Sequence, residues 1–376
     1  MKRIWWIPIS LLLLSGCVPS GNDEAEVINT EQEEPETAII PSMQLDDQYY
    51  RTLLPYKQSA TRGKIVSRLN SRYDIKEAEH GLLRLSQQQF SPDDYYFQEG
   101  QKITDEEASL WLQRQSKDNP QGLNPEDGRS QAETDEGERP QPELLAHILE
   151  QNYLVKTEED KIRLGGVSIG LAMNTVYYNS SDNIPYEETI PQDQIISEGK
   201  RMADEIVKRL REKEGMEDVP ILVALFAQNS RNAMTPGTYF SYGAAPKGET
   251  EVANWNDIDE AYVVFPTSGT NEQYRDIDTA FRNFKQDVEL YFSNFTSVIG
   301  KGFYQNGQLQ ELKIEIPIQF YGSAEVIGFT QYVTGLILDH FPDDVQIEVN
   351  VTSTNGAEAL ILRKAGEEEP VVHIYE

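Results

Sequence analysis

Two hydrophobic periods run along the chain. Apolar residues recur at helical spacing in three long stretches. Over 193–214 a stripe is formed by Ile196, Met202, Ile206, Val207 and Leu210, and over 273–294 by Phe281, Phe284, Val288 and Phe292. The third stretch is 323–340. Alternating or short continuous apolar runs bounded by turn residues predict strands at 167–178, 220–228, 238–244, 260–265, 312–320, 345–352, 358–364 and 371–375. Upstream, 47–54 and 63–73 alternate or run at helical spacing, and 77–89 reads as a helix. Phe90-Ser91-Pro92-Asp93-Asp94 is a turn into 95–100, and Thr104 opens a helix over 108–114 with Asp105, Glu106 and Glu107 in its first turn. Residues 142–153, PELLAHILEQNY, predict a compact amphipathic helix that turns Leu144, Leu145, Ile148 and Leu149 inward.

This order of elements predicts an α+β fold of mostly antiparallel sheets covered by helices on one face. Two β-α-β-β-β units, 165–265 and 312–376, bridged by the helix 273–294, make up a C-terminal body spanning 143–376. A smaller N-terminal α+β region occupies 46–115, and a flexible linker rich in Asn-Pro, Gly, Glu and Gln covers 116–142. Residues 17–45 carry acids and no basic residue, and read as a disordered tether. At 376 residues the chain exceeds one ordinary core.

The N-terminus has a different pattern again. Lys2 and Arg3 precede an uncharged run over 4–14, too short for a spanning helix of about 20 residues. Leu14-Ser15-Gly16-Cys17 follows, and Cys17 is the single cysteine. This is the layout of a secretory signal over 1–16 ending in a bacterial lipobox. The expected product carries diacylglycerol on the Cys17 thiol and is cleaved between Gly16 and Cys17, with further acylation such as palmitate giving stable anchoring. Its maturation partners are a lipoprotein diacylglyceryl transferase and a lipoprotein signal peptidase. Its location is the extracytoplasmic face of the cell membrane.

The formal charge is −30, with 63 acidic against 33 basic residues. No basic stripe is present to neutralise phosphates, so nucleic acid is excluded as a partner. Self-repulsion favours a monomer.

Candidate chemistry is sparse. Gly166-Val167-Ser168-Ile169-Gly170 spells G-x-S-x-G, but a nucleophile elbow must end a strand and open a helix, whereas 169–178 continues as a strand. His80, His147, His340 and His373 are isolated in sequence, and the acidic pairs Asp93-Asp94, Glu187-Glu188 and Asp343-Asp344 lack calcium-loop spacing. No enzyme activity, metal or cofactor is expected. The 19 tyrosines include clusters beside amides, and Tyr96, Gln98, Gln319, Tyr321, Gln331 and Tyr332 are the candidate lining of a groove for a peptide, glycan or other envelope partner.

Several short segments carry a family resemblance. They are Leu53-Leu54-Pro55-Tyr56, Phe90-Ser91-Pro92, Phe97-Gln98-Glu99-Gly100-Gln101 and His147-Ile148-Leu149-Glu150-Gln151. Further on come Asn283-Phe284-Lys285, Gln319-Phe320-Tyr321-Gly322, Gly328-Phe329-Thr330-Gln331-Tyr332 and Val372-His373-Ile374-Tyr375. Together they make the chain resemble the CamS family of sex-pheromone lipoproteins of Gram-positive bacteria. The resemblance implies that the cleaved signal peptide is a precursor of a hydrophobic heptapeptide that induces conjugation in enterococci. The corresponding segment here is Ser10-Leu11-Leu12-Leu13-Leu14-Ser15-Gly16, which lacks the Phe of the family's Ala-Ile-Phe-Ile-Leu-Ala-Ser/Ala type and ends in Ser-Gly.

Overall fold

The computed structural model describes residues 22–27, 36–46, 49–128, 140–181, 184–269, 271–291 and 297–375. The chain begins with β1 (Asn22–Val27), β2 (Glu36–Pro41), β3 (Arg51–Thr52), α1 (Arg62–Arg68), α2 (Arg72–Ser86), β4 (Tyr96–Glu99) and α3 (Asp105–Trp111). Next come β5 (Leu145–Lys156), β6 (Lys161–Asn174), β7 (Val176–Ser181), β8 (Ile184–Thr189), α4 (Gln192–Arg211), β9 (Ile221–Gln228), β10 (Thr238–Ala245) and β11 (Ala253–Asp257). The last third holds β12 (Glu260–Phe265), α5 (Arg275–Tyr291), β13 (Ile299–Gln305), β14 (Gln308–Pro317), α6 (Ser323–His340), β15 (Gln346–Ser353), β16 (Gly356–Arg363) and β17 (Val371–Ile374).

Two sheets organise these elements, giving the α+β class the sequence predicts. The first runs β11-β10-β9-β6-β5-β4-β3, and the second runs β12-β13-β14-β15-β16-β17. Each contains a parallel pair bridged by a single long helix, β6 and β9 by α4 and β14 and β15 by α6, while in the first sheet β3 and β4 are also parallel, with α1 and α2 between them. The strand orders correspond throughout. The series β4-α3-β5-β6-α4-β9-β10-β11 makes its pairs in the same sequence and sense as β12-α5-β13-β14-α6-β15-β16-β17. The shared order is longer than the β-α-β-β-β expected. It also moves β12 from the end of the first unit to the start of the second.

Local chemistry sets the boundaries. Thr104 and Glu107 form a reciprocal capping box at α3, and Ser71 caps α2 by accepting from the Asp74 amide. Buried Arg211, at the end of α4, donates to the carbonyls of Met216 at 2.6 Å, Pro246 at 2.7 Å and Glu249 at 2.8 Å, and so closes two loops at once.

The cores follow the sheets. Met202, Ile206 and Leu210 of α4 and Trp111 of α3 pack on one face of the first sheet, while Leu82 and Leu85 of α2 and Ile65 of α1 cover the other. The first sheet thus carries helices on both faces, not one. The second carries α5 and α6 on one face, through Phe281, Phe284, Phe329 and Val333. Its opposite face presents Lys301, Lys313, Glu315 and Glu348 beside the polar side of α2.

Three expectations fail for identifiable reasons. Residues 142–153 are not a helix but most of strand β5, paired with both β4 and β6. A strand buried on both faces need not alternate. The register shift between Leu145 and His147 also changes phase, so that its apolar spacing imitates a helix. The 17–45 stretch contains β1 and β2, a hairpin whose β1 adds parallel to β6 at Glu26↔Lys161 and Val27↔Ile162, ahead of the Val167↔Ile221 pair where β9 begins. In the 116–142 stretch Asn124 is fully buried, donating to the carbonyls of Leu112 and Leu145 and accepting from the Leu144 and Leu145 amides. Residues 129–139 lie outside the described residues.

Candidate functional site

Gly16 and Cys17 lie outside the described residues. Of the proposed groove, Tyr96 and Gln98 sit on β4. Tyr96 is buried beneath the Arg51 guanidinium, 4.8 Å from its ring centroid, and Gln98 lines a small cavity of about 220 Å³ with Leu53, Leu54 and Pro55. The other four surround α6. Gln319 accepts from Thr354 Oγ1 at 3.0 Å, Tyr321 is 88% exposed, Gln331 points to solvent and Tyr332 Oη donates to the Asp287 carbonyl at 3.2 Å. The two groups belong to different sheets, and the cavity beside Gln98 takes no residue from the α6 group.

What the fold does bring together is the set of N-terminal motifs. β4 lies antiparallel to β5, with Gln98 opposite Asn152 and Glu99 opposite Gln151. The Glu99 carboxylate accepts from Tyr56 Oη and from the Ser59 amide at 2.7 Å, with Arg62 Nε 3.4 Å away. Burial first, then the Glu99 hydrogen bond, push the Tyr56 hydroxyl up to about 12. Burial, reinforced by Glu99, also raises nearby Glu79.

On the opposite face of β5, fully enclosed Glu150 accepts from the amides of Gln101 at 3.0 Å, Lys102 at 2.9 Å and Ile103 at 2.8 Å. Burial raises its carboxyl while these donors pull it back. Gly100 must be glycine here, since a Cβ would lie 2.4 Å from Glu150 Cβ. These contacts fix a loop. They present no open reaction site.

A second polar cluster joins α2 to the second sheet. Arg84 Nη2 lies 2.8 Å from Glu77 Oε1 and 2.9 Å from Glu260 Oε2, with its guanidinium 4.6 Å over the Phe303 ring. Tyr262 Oη donates to Glu77, and Gln305 Nε2 donates to Glu260 at 3.2 Å. Burial is the largest influence on Glu260 and raises it, while the two carboxylates drive Arg84 up against its own burial. The cluster was invisible in sequence because its members are spread from 77 to 305.

A shallow groove of about 530 Å³ runs between α3 and α4, lined by Trp111, Glu107, Gln121, Arg209 and Lys213 among others. Four of its charged residues pair with one another, Lys213 with Glu107 at 2.7 Å and Arg209 with Glu205 at 2.9 Å, and Arg209 covers the Trp111 ring at 5.0 Å.

Ser168 is fully buried in the middle of β6, its Oγ 2.7 Å from Ser86 Oγ, and no helix opens after it. His340 pairs with Asp287 at 2.8 Å across α5 and α6, His373 sits on β17, and His147 is buried on β5. Among the described residues no group of three or more His, Cys, Asp or Glu could hold a metal ion.

With this geometry in view, the comparisons are specific. The family profile described as "CamS sex pheromone cAM373 precursor" matches residues 56–369. The chain therefore belongs to the CamS family. It is similar to the sex pheromone precursor of Lactobacillus salivarius subsp. salivarius UCC118, at 30% identity and a TM-score of 0.82, covering 89% of this chain and 98% of that one. It is also similar to the C-terminal domain of the sex pheromone staph-cAM373 precursor of Staphylococcus aureus, at 29% identity and a TM-score of 0.69, covering 82% and 99%. A search of curated proteins returned no match.

Proposed function

We propose that the protein is a non-enzymatic surface lipoprotein, anchored by diacylglycerol on Cys17, whose released signal peptide is the source of a pheromone-like heptapeptide. The folded body then sits outside the membrane. The observation that carries this is Leu14-Ser15-Gly16-Cys17, placed behind a basic head and an apolar run and holding the only cysteine of the chain. Two relatives described as sex pheromone precursors support it. No described helix is long and apolar enough to cross a membrane. The burial of Ser168 within β6 argues against its serving as a nucleophile.

Mass spectrometry of the mature N-terminus is the test. The expected product starts at Cys17 and carries a diacylglyceryl thioether, and Cys17→Ala releases the protein from the membrane fraction. An unmodified Cys17, or another N-terminus, would refute the anchor. The peptide is tested separately: synthetic SLLLLSG should induce clumping in a responsive strain, and failure to do so removes the pheromone role while leaving the anchor intact.

A further inference from the structure

We propose that the outer edge of β17 is a strand-addition site for an extended cationic peptide. Among the described residues β17 pairs on one side only, with β16, in an unbroken register from Ala359↔Ile374 to Leu362↔Val371. The Tyr375 amide donates inward to the Glu358 carbonyl at 3.0 Å. The alternation of an antiparallel ladder then turns the main-chain groups of Val372 and Ile374 outward, where β16 cannot reach them. Val371 is 65% and Val372 41% exposed, and Leu360 and Leu362 lie half-buried on the adjoining sheet face.

Sheet edges normally carry protection against pairing. Five other edges among the described strands do. β3 has two residues, β11 carries Asn254 at φ 54° beside an irregular register, and β8 contains Pro185, Glu187 and Glu188. β2 bonds its Ile39 main chain to Leu54, and β12 runs into Pro266 beside β10. β17, at the position in the second sheet that β11 holds in the first, is four residues long and preceded by Pro370, but it has no proline, bulge or charged residue within the strand.

Charge selects the occupant. Glu367, Glu368 and Glu369 precede the strand and Glu376 follows it, while Lys364 is paired with Asp46 at 2.7 Å. Two copies pairing antiparallel about His373 would bring Glu369 of one toward Glu376 of the other, a like-charge contact. A strand with lysines outside its apolar positions meets the opposite condition, giving main-chain bonds for affinity and flanking attraction for register. The inference goes beyond the lipoprotein reading and does not depend on Cys17.

The probe is a fluorescent, end-blocked Lys-Val-Lys-Val-Lys-Val-Lys peptide titrated into the detergent-solubilised full chain. Saturable binding is expected, weakening with salt and accompanied by slowed amide exchange at Val372 and Ile374. Val372→Pro removes an outward donor and no inward bond, so affinity should fall at least about tenfold with the unfolding midpoint unchanged. Should that variant unfold, wild type tested with the peptide N-methylated at alternate residues reads the same bonds. The proposal is overturned by equal affinity for Val372→Pro or for the N-methylated peptide, or by equal affinity for a Glu-for-Lys peptide. It is also overturned by no binding up to about 1 mM, or by sedimentation showing a dimer that Val372→Pro dissolves.

Discussion

Acidification should destabilise this protein through one histidine. His147 is 2% exposed on β5, and its Nδ1 has no hydrogen-bond partner among the described residues. Burial, with the like charge of Arg68 and Lys64 on α1 added, lowers its pKa from 6.5 to about 4. In the unfolded chain the ring titrates near 6.5. As pH falls, the unfolded state therefore takes the proton first. The contribution is whole above about pH 6.5 and is lost progressively as pH drops toward 4. Integrating between these values gives a loss of about 2 kcal/mol from pH 7 to pH 5, and about 3 kcal/mol by pH 4. Many carboxylates also titrate in this range, so the informative quantity is a difference. Urea unfolding of wild type and His147→Leu at pH 7, 6 and 5 should give a stability gap that shifts by about 2 kcal/mol in favour of the variant. A gap independent of pH, or an NMR titration placing His147 near 6.5, would refute the reasoning.

Two further perturbations test the buried carboxylates. Glu150→Ala strands the buried Ile103 amide and two part-buried amides and should cost about 2 kcal/mol in urea unfolding, with fast amide exchange appearing at Gln101, Lys102 and Ile103. A loss below about 1 kcal/mol would mean that the loop relaxes into water. Arg84→Met leaves Glu77 and Glu260 facing each other without their cation. It should cost about 3 kcal/mol at neutral pH, the low end for a buried pair because the Arg84 side chain is 31% exposed. Its signature is partial recovery as pH falls, since protonation relieves the unpaired carboxyls. Equal losses at pH 7.5 and pH 5.5, readings chosen about two units apart, would contradict it.

The second unit was largely legible in the sequence because its helices and strands are amphipathic in the ordinary way. α6 occupies Ser323–His340, and β15 to β17 fall where alternation places them. β13 has no counterpart in the sequence pattern because Gly300 and Gly302 stand where its core-facing side chains would alternate. In the fold they face the core, where a Cβ would meet the Phe281 ring at 2.5 Å and the Phe265 ring at 2.9 Å. There a large neighbour, 19 or more residues distant in sequence, fills the space that a strand side chain would take. β5 is hidden for the opposite reason, since both of its faces and both of its edges are covered. The motifs around Glu99 and Glu150 lie about 50 residues apart in the chain, at 97–101 and 147–151. Their convergence depends on the β4–β5 register, which no local period encodes.

The β1–β2 hairpin changes the mechanical picture of the anchor. With Cys17 held at the bilayer, only five peptide links separate the lipid from Asn22, the first residue of β1. That leash spans at most about 17 Å, so the docked body stands within reach of the headgroups. Were the hairpin to peel from β6 and Leu54, the leash would pay out to Arg51, a contour of roughly 120 Å. On the proposed Cys17 anchor, a few main-chain bonds and the small core of Ala25, Ala38, Ile40 and Leu53 would act as a clasp on the protein's working radius above the membrane.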